Sequence, residues 1–138
     1  MSGLQQVRDA MLPNPLALAA TATAREAAEA LSRDAVRSVL VCDDGRLVGV
    51  ITRKTLVREV VAAGHDPQTT TVGQIAEPPN YTIPPDTALD DAFAFLEERD
   101  LERVPVVDDG RLVGVLSRDV VQRRLAEDEP PPELSLDL

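Results

Sequence analysis

The string Asp-Asp-Gly-Arg-Leu-Val-Gly-Val fills residues 43–50 and recurs unchanged at residues 108–115. An identity of that length in a chain of 138 residues makes internal duplication the first hypothesis for the fold. The offset is 65 residues, and it holds well outside the string. Val7 falls on Val72, Pro13 on Pro78, Ala27 on Ala92, Leu31 on Leu96, Val39 on Val104 and Val41 on Val106. Beyond the string, Thr52 falls on Ser117, Arg53 on Arg118 and Arg58 on Arg123. The chain reads as two copies of one unit, 5–63 and 72–127, joined by a connector at 64–71 and followed by an acidic, proline-rich tail at 128–138. Two copies of so long a period describe a duplicated domain, not a solenoid.

Within each copy the signals follow the order β-α-β-β-α, which places the chain in the α/β (α+β) class. In the second copy Tyr81–Ile83 is a short β-like run, and Asp86 or Thr87 is positioned to cap a helix over 90–99. Ala88, Leu89, Ala92, Phe93 and Leu96 recur at helical spacing and form its buried face. Two β-branched runs then flank Asp-Asp-Gly-Arg, a hairpin signal because Gly110 accepts the positive φ of a tight turn. A last helix follows from Ser117 to about Glu127. The first copy predicts strands at 16–18, 38–42 and 47–52 with helices over 23–32 and 53–63. The connector, Gly-His-Asp-Pro-Gln-Thr-Thr-Thr, is a loop, and the tail is either a mobile segment or an arm for a partner.

Composition removes several functions. A net charge of −10 opposes contact with a phosphate backbone, and 2% aromatic residues leave no platforms for stacking bases, so nucleic acid is not expected as a partner. The first residues lack the apolar core of a signal peptide, and no stretch has the length of a membrane span, so a cytoplasmic protein is expected. The single cysteine, Cys42, forms no internal disulfide and reads as an inert thiol. His65, the only histidine, offers no His-based metal cluster, and the Asp pairs 43–44 and 108–109 are turn formers. No Ser-His-Asp set, Cys-His pair or P-loop points to an enzyme.

The tandem β-α-β-β-α order, Val-Arg-Asp-Ala-Met at 7–11 and the run from Val104 to Arg118 together resemble a pair of cystathionine β-synthase (CBS) domains, a Bateman module. The resemblance covers residues 7–127. It implies two units packed as a pseudo-twofold pair, and a disc-shaped homodimer of such pairs that acts on a regulated protein. It further implies clefts similar to those that bind AMP, ADP, ATP or S-adenosylmethionine as regulatory ligands, with no required cofactor and no metal.

The family's adenosine site uses Gly-hydrophobic-hydrophobic-Ser/Thr-x-x-Asp, in which the hydroxyl faces ligand oxygens and the Asp holds the ribose diol. Here the strings are Gly49-Val50-Ile51-Thr52-Arg53-Lys54-Thr55 and Gly114-Val115-Leu116-Ser117-Arg118-Asp119-Val120. Both hydroxyls are present, while the final Asp is replaced by Thr55 and Val120, with Asp119 one position early. Arg53, Lys54 and Arg118 add cations where a strand passes into a helix, a place suited to phosphate. By resemblance, adenine rests against Tyr81, Thr82, Ile83, Val104 and Pro105, with Leu16, Leu18, Ser38 and Val39 as the counterparts in the first copy. Thr52 and Ser117 equally serve as helix N-caps. Two functions therefore stand side by side: a stand-alone sensor of an adenosine ligand, and a ligand-free interaction module whose nucleotide sites are degenerate.

Overall fold

The computed structural model describes residues 5–128, so the tail lies from residue 129 onward outside the described residues. The chain is mixed α+β: helix α1 (Val7–Ala10), strands β1 (Leu12–Pro13) and β2 (Ala17–Ala19), helix α2 (Ala24–Leu31), strands β3 (Val39–Asp43) and β4 (Arg46–Ile51), and helix α3 (Arg53–Leu56), which continues as a π-helical turn, Val57–Val61. Helices α4 (Val72–Ile75) and α5 (Leu89–Glu98), strands β5 (Arg103–Asp108) and β6 (Arg111–Ser117), and helix α6 (Arg118–Asp128) complete it.

Contacts gather these elements into two compact units whose boundaries differ from those of the sequence repeats. One unit holds residues 15–81 with 109–112; the other holds, of the described residues, 5–14, 82–108 and 113–128. Each unit thus takes its leading helix from the start of the opposite copy. In the first unit α4 is tied in by Val72 N–H to the Ala22 carbonyl at 2.8 Å and Gly73 N–H to that of Ala20 at 2.9 Å. In the second, α1 is tied in by Val7 N–H to Thr87 at 2.9 Å and Arg8 N–H to Pro85 at 2.9 Å. These bonds are related by the same 65-residue offset as the sequence strings.

The cores follow that register. Val72, Ala27, Leu31, Val41 and Ile51 are buried in the first unit. Their offset partners Val7, Ala92, Leu96, Val106 and Leu116 are buried in the second. In the first unit β2 runs parallel to β3, and β3 pairs antiparallel with β4. Both hairpin turns carry positive φ at two consecutive residues, 52° and 82° at Asp44-Gly45 and 52° and 83° at Asp109-Gly110. That is the pattern for which Asp-Gly is selected, since its twist matches that of the strands. The turn residues 109–112 belong to the first unit, where Leu47 N–H reaches the Gly110 carbonyl at 3.1 Å and Leu112 N–H reaches that of Gly45 at 3.0 Å. Two identical turns can form this reciprocal pair, and that supplies a reason for the repeated string.

Several sequence expectations are corrected. The Tyr81–Ile83 run is not a strand; only Ile83 pairs, in a parallel bridge to Val106. The predicted cap of the second-copy helix is also displaced. The N-cap is Ala88, which has no side-chain oxygen, and neither Asp86 nor Thr87 reaches the helix end. Its offset partner Thr23 does cap α2, accepting from Glu26 N–H at 3.2 Å while the Glu26 carboxylate accepts from Thr23 N–H at 2.8 Å. The helix expected over 53–63 is α only to Leu56 and then widens into the π turn.

One prediction follows from the unequal caps. Ala88 has the extended backbone of a capping residue (φ −61°, ψ 140°) and Asp91 three residues on, so Ala88→Ser should stabilise the fold by about 0.5–1 kcal/mol. Thr23→Ala should cost about 1 kcal/mol. Urea denaturation of both variants checks the signs, and equal midpoints in the two would refute the assignment of the caps.

Candidate functional site

In the first unit β4 ends at Ile51 and Thr52 caps the helix that follows. The Thr52 hydroxyl accepts from Thr55 N–H at 3.3 Å, and the Thr55 hydroxyl accepts from Thr52 N–H at 3.1 Å. The two hydroxyl oxygens lie 3.1 Å apart. Thr55 is fully buried, so the residue at the motif's Asp position turns its hydroxyl inward, where it donates to Glu77 Oε1 at 3.1 Å. The same oxygen accepts from Arg58 Nη2 at 2.6 Å. Arg53 and Lys54 are exposed, and the Arg53 guanidinium donates to the Arg33 carbonyl at 2.8 Å.

Glu77 reaches this place because its backbone pairs with β4. Val50 N–H donates to the Glu77 carbonyl at 2.8 Å and Glu77 N–H to that of Val50 at 2.9 Å. Gly49 permits the approach, since a Cβ there would stand 2.6 Å from the Ala76 methyl and 2.9 Å from the Glu77 carbonyl oxygen. The Arg58 hydrogen bond, then that of Thr55, hold the Glu77 carboxyl below the usual carboxylate range, with weaker help from the charges of Arg58 and Lys54. Glu77 was not among the residues selected from sequence. The available signal was a paired departure across the offset: where the first unit has Thr55 and Glu77, the second has Val120 and Leu12.

In the second unit Ser117 ends β6 and is half-buried. The Arg118 N–H, expected to be open to a phosphate, instead donates to the Glu102 carbonyl at 2.9 Å. Its guanidinium lies 3.5 Å from Asp100. Asp119 is exposed in the first turn of α6, and Val120 packs against the core. Leu12 pairs with Val115 as Glu77 pairs with Val50, leaving an apolar side chain 68% exposed where the first unit has a carboxylate.

The residues expected to face adenine divide. Ile83 and Pro105 come together through Ile83 N–H to the Pro105 carbonyl at 3.0 Å. Ile83 and Val104 are buried in the core, whereas Pro105 is half-buried and Tyr81 and Thr82 are exposed. In the first unit Val39 is buried, Leu18 packs against that core, and Leu16 and Ser38 are exposed. Fully buried side chains support such a wall from behind and offer little surface of their own. Two open depressions of about 330 and 400 Å³ lie elsewhere in the first unit, along Thr70 and Gln74 and along Ala24, Leu56 and Val60, with His65 at both. Burial raises the Cys42 thiol above its ordinary pKa, which keeps it protonated and poorly nucleophilic at neutral pH.

The Glu77 shift fixes the sign of an acid effect. A carboxyl whose folded pKa is depressed contributes stability that is complete above the unfolded value and is lost as pH falls through the folded value. Unfolding midpoints should therefore fall more steeply below the ordinary carboxylate range in the wild type than in Glu77→Gln, and the difference should shrink in high salt because Glu77 is 44% exposed. Parallel acid profiles would refute the assignment.

Comparison with known proteins gives these geometries a context. The family model described as the CBS domain matches residues 7–62 and again 72–127. Hypoxic response protein 1 of Mycobacterium tuberculosis is 32% identical over 106 residues, which is 76% of this chain and 74% of that protein. The crystal structure of CBSX2 in complex with AMP superposes with a TM-score of 0.69 at 29% identity, covering 88% of this chain and 96% of that one. The A-adding tRNA nucleotidyltransferase of Aquifex aeolicus is 30% identical over 124 residues, but these make up only 15% of that enzyme. The chain belongs to the CBS domain family and carries the domain twice.

Proposed function

We propose that this CBS pair is a cytoplasmic regulatory module, not an enzyme, that binds an adenosine-containing ligand, AMP, ADP, ATP or S-adenosylmethionine. It works as a homodimer whose shape or affinity for a regulated protein changes with occupancy. The observation that carries this reading is the hydroxyl retained at the strand-to-helix passage of both copies, Thr52 and Ser117, each followed by an arginine on a chain of net charge −10. Cations concentrated at that one place suit an anionic ligand, because arginine presents a fork that matches phosphate oxygens. The AMP held by a relative of similar fold supports the ligand class.

A second reading, a ligand-free interaction module, draws on the loss of the motif Asp at Thr55 and Val120. Thermal unfolding in the presence of millimolar AMP, ADP, ATP or S-adenosylmethionine separates the two, because a ligand that binds only the native state stabilises it. At a concentration 100-fold above Kd the gain is about 2.7 kcal/mol, a shift of several degrees. At least one ligand should raise Tm, and Thr52→Ala, Ser117→Ala or Arg118→Ala should reduce that rise. No rise with any ligand would favour the interaction module.

A further inference from the structure

We propose that Glu77 restores to the first unit the carboxylate that its motif lacks, so that this unit recognises the cis-diol of a ribose and the second does not. The inference rests on the adenosine reading given above. Thr55 occupies the position at which the family string ends in Asp, and its side chain is buried, so it cannot itself meet a ligand. Its hydroxyl instead anchors the carboxylate of a residue 22 positions away.

The geometry suits an acceptor. Both hydrogen bonds from the protein, those of Thr55 and Arg58, converge on Oε1. Oε2 takes none from the described residues, and the side chain is 44% exposed. The group is thus held at one oxygen and presents the other to solvent. The carboxylate is ionised at neutral pH for the reasons given above, and a charged acceptor binds a hydroxyl more strongly than a neutral one.

Its neighbours connect it to the expected site. Thr55 is bonded to Thr52, the hydroxyl that the family directs at its ligand, so carboxylate and hydroxyl belong to one hydrogen-bonded chain. Lys54 lies close enough to act on the charge of Glu77. The offset supplies an internal control, because the second unit has Val120 and Leu12 at the two positions and therefore no carboxylate at either. Asp119 lies one residue early, exposed in the first turn of α6.

The test compares AMP with 2′-deoxy-AMP by calorimetry on the full chain. Wild type should prefer AMP by about tenfold or more, the value of one hydrogen bond to a charged group. Glu77→Leu copies the residue of the second unit and should erase the preference. Glu77→Gln, which keeps the shape without the charge, should lower the preference in the same direction. If AMP binds but Glu77→Leu and Glu77→Gln, both folded by thermal melts, keep the wild-type preference, the role of Glu77 is overturned and the adenosine reading stands. If wild type binds neither nucleotide nor any other adenosine ligand, that reading fails and this inference with it.

Discussion

The reciprocal backbone hydrogen bonds between Val50 and Glu77 bring the Glu77 carboxylate to Thr55 and Arg58 in the first unit's candidate site. They form only because Gly49 has no Cβ to meet Ala76 and the Glu77 carbonyl. Once the strand edge is occupied in this register, the side chain of residue 77 projects beside the first turn of α3. Thr55 and Arg58, one helical turn apart, then receive it from one side. The second unit repeats the backbone arrangement at Gly114, where a Cβ would meet Met11 and the Leu12 carbonyl. Corresponding antiparallel pairings therefore carry a carboxylate in one unit and a leucine in the other.

Much of the fold was legible because its signals are local. Asp-Gly between β-branched runs has few alternatives to a hairpin, and both turns show the two consecutive positive φ values that the pair favours. Helix α5 declared itself through Leu89, Ala92 and Leu96, all buried as their spacing requires. What failed was also physical in origin. Asp86 and Thr87 have side chains suited to a cap, but the helix begins at the buried Leu89, and the residue that falls at its end is Ala88. The 65-residue offset from Thr23 would have given that position directly. The exchange of leading helices has no local signal at all, since Val72 bonds to Ala22 and Val7 to Thr87 across long stretches of chain.

The candidate site was legible in part, for a related reason. The resemblance to the family's motif identified Thr52 and Ser117, and both stand where a strand passes into a helix. Spacing could not show that the Arg118 N–H is already satisfied by Glu102, or that Thr55 is buried. A string read along the chain reports neighbours in sequence, whereas the acceptor beside Thr55 comes from another segment. Comparing the two copies recovers what the string omits: Thr55 with Glu77 against Val120 with Leu12 is a coupled polar-to-apolar change at two positions that touch in one unit.

That coupling bears on whether the polar trio serves the fold or a ligand. An ion pair with both side chains about half exposed adds little to stability, because water competes for each charge and salt screens the remainder. The second unit builds the same strand pairing and the same kind of core with an apolar pair in those places, so the architecture does not require Thr55, Arg58 and Glu77 to cooperate. The arrangement does specify direction. Two donors fix one carboxylate oxygen and leave the other facing outward, a restriction that stability alone does not call for. A half-exposed carboxylate with one oxygen fixed has lost the rotational freedom that would otherwise oppose an ordered contact, and such preorganisation benefits binding far more than folding.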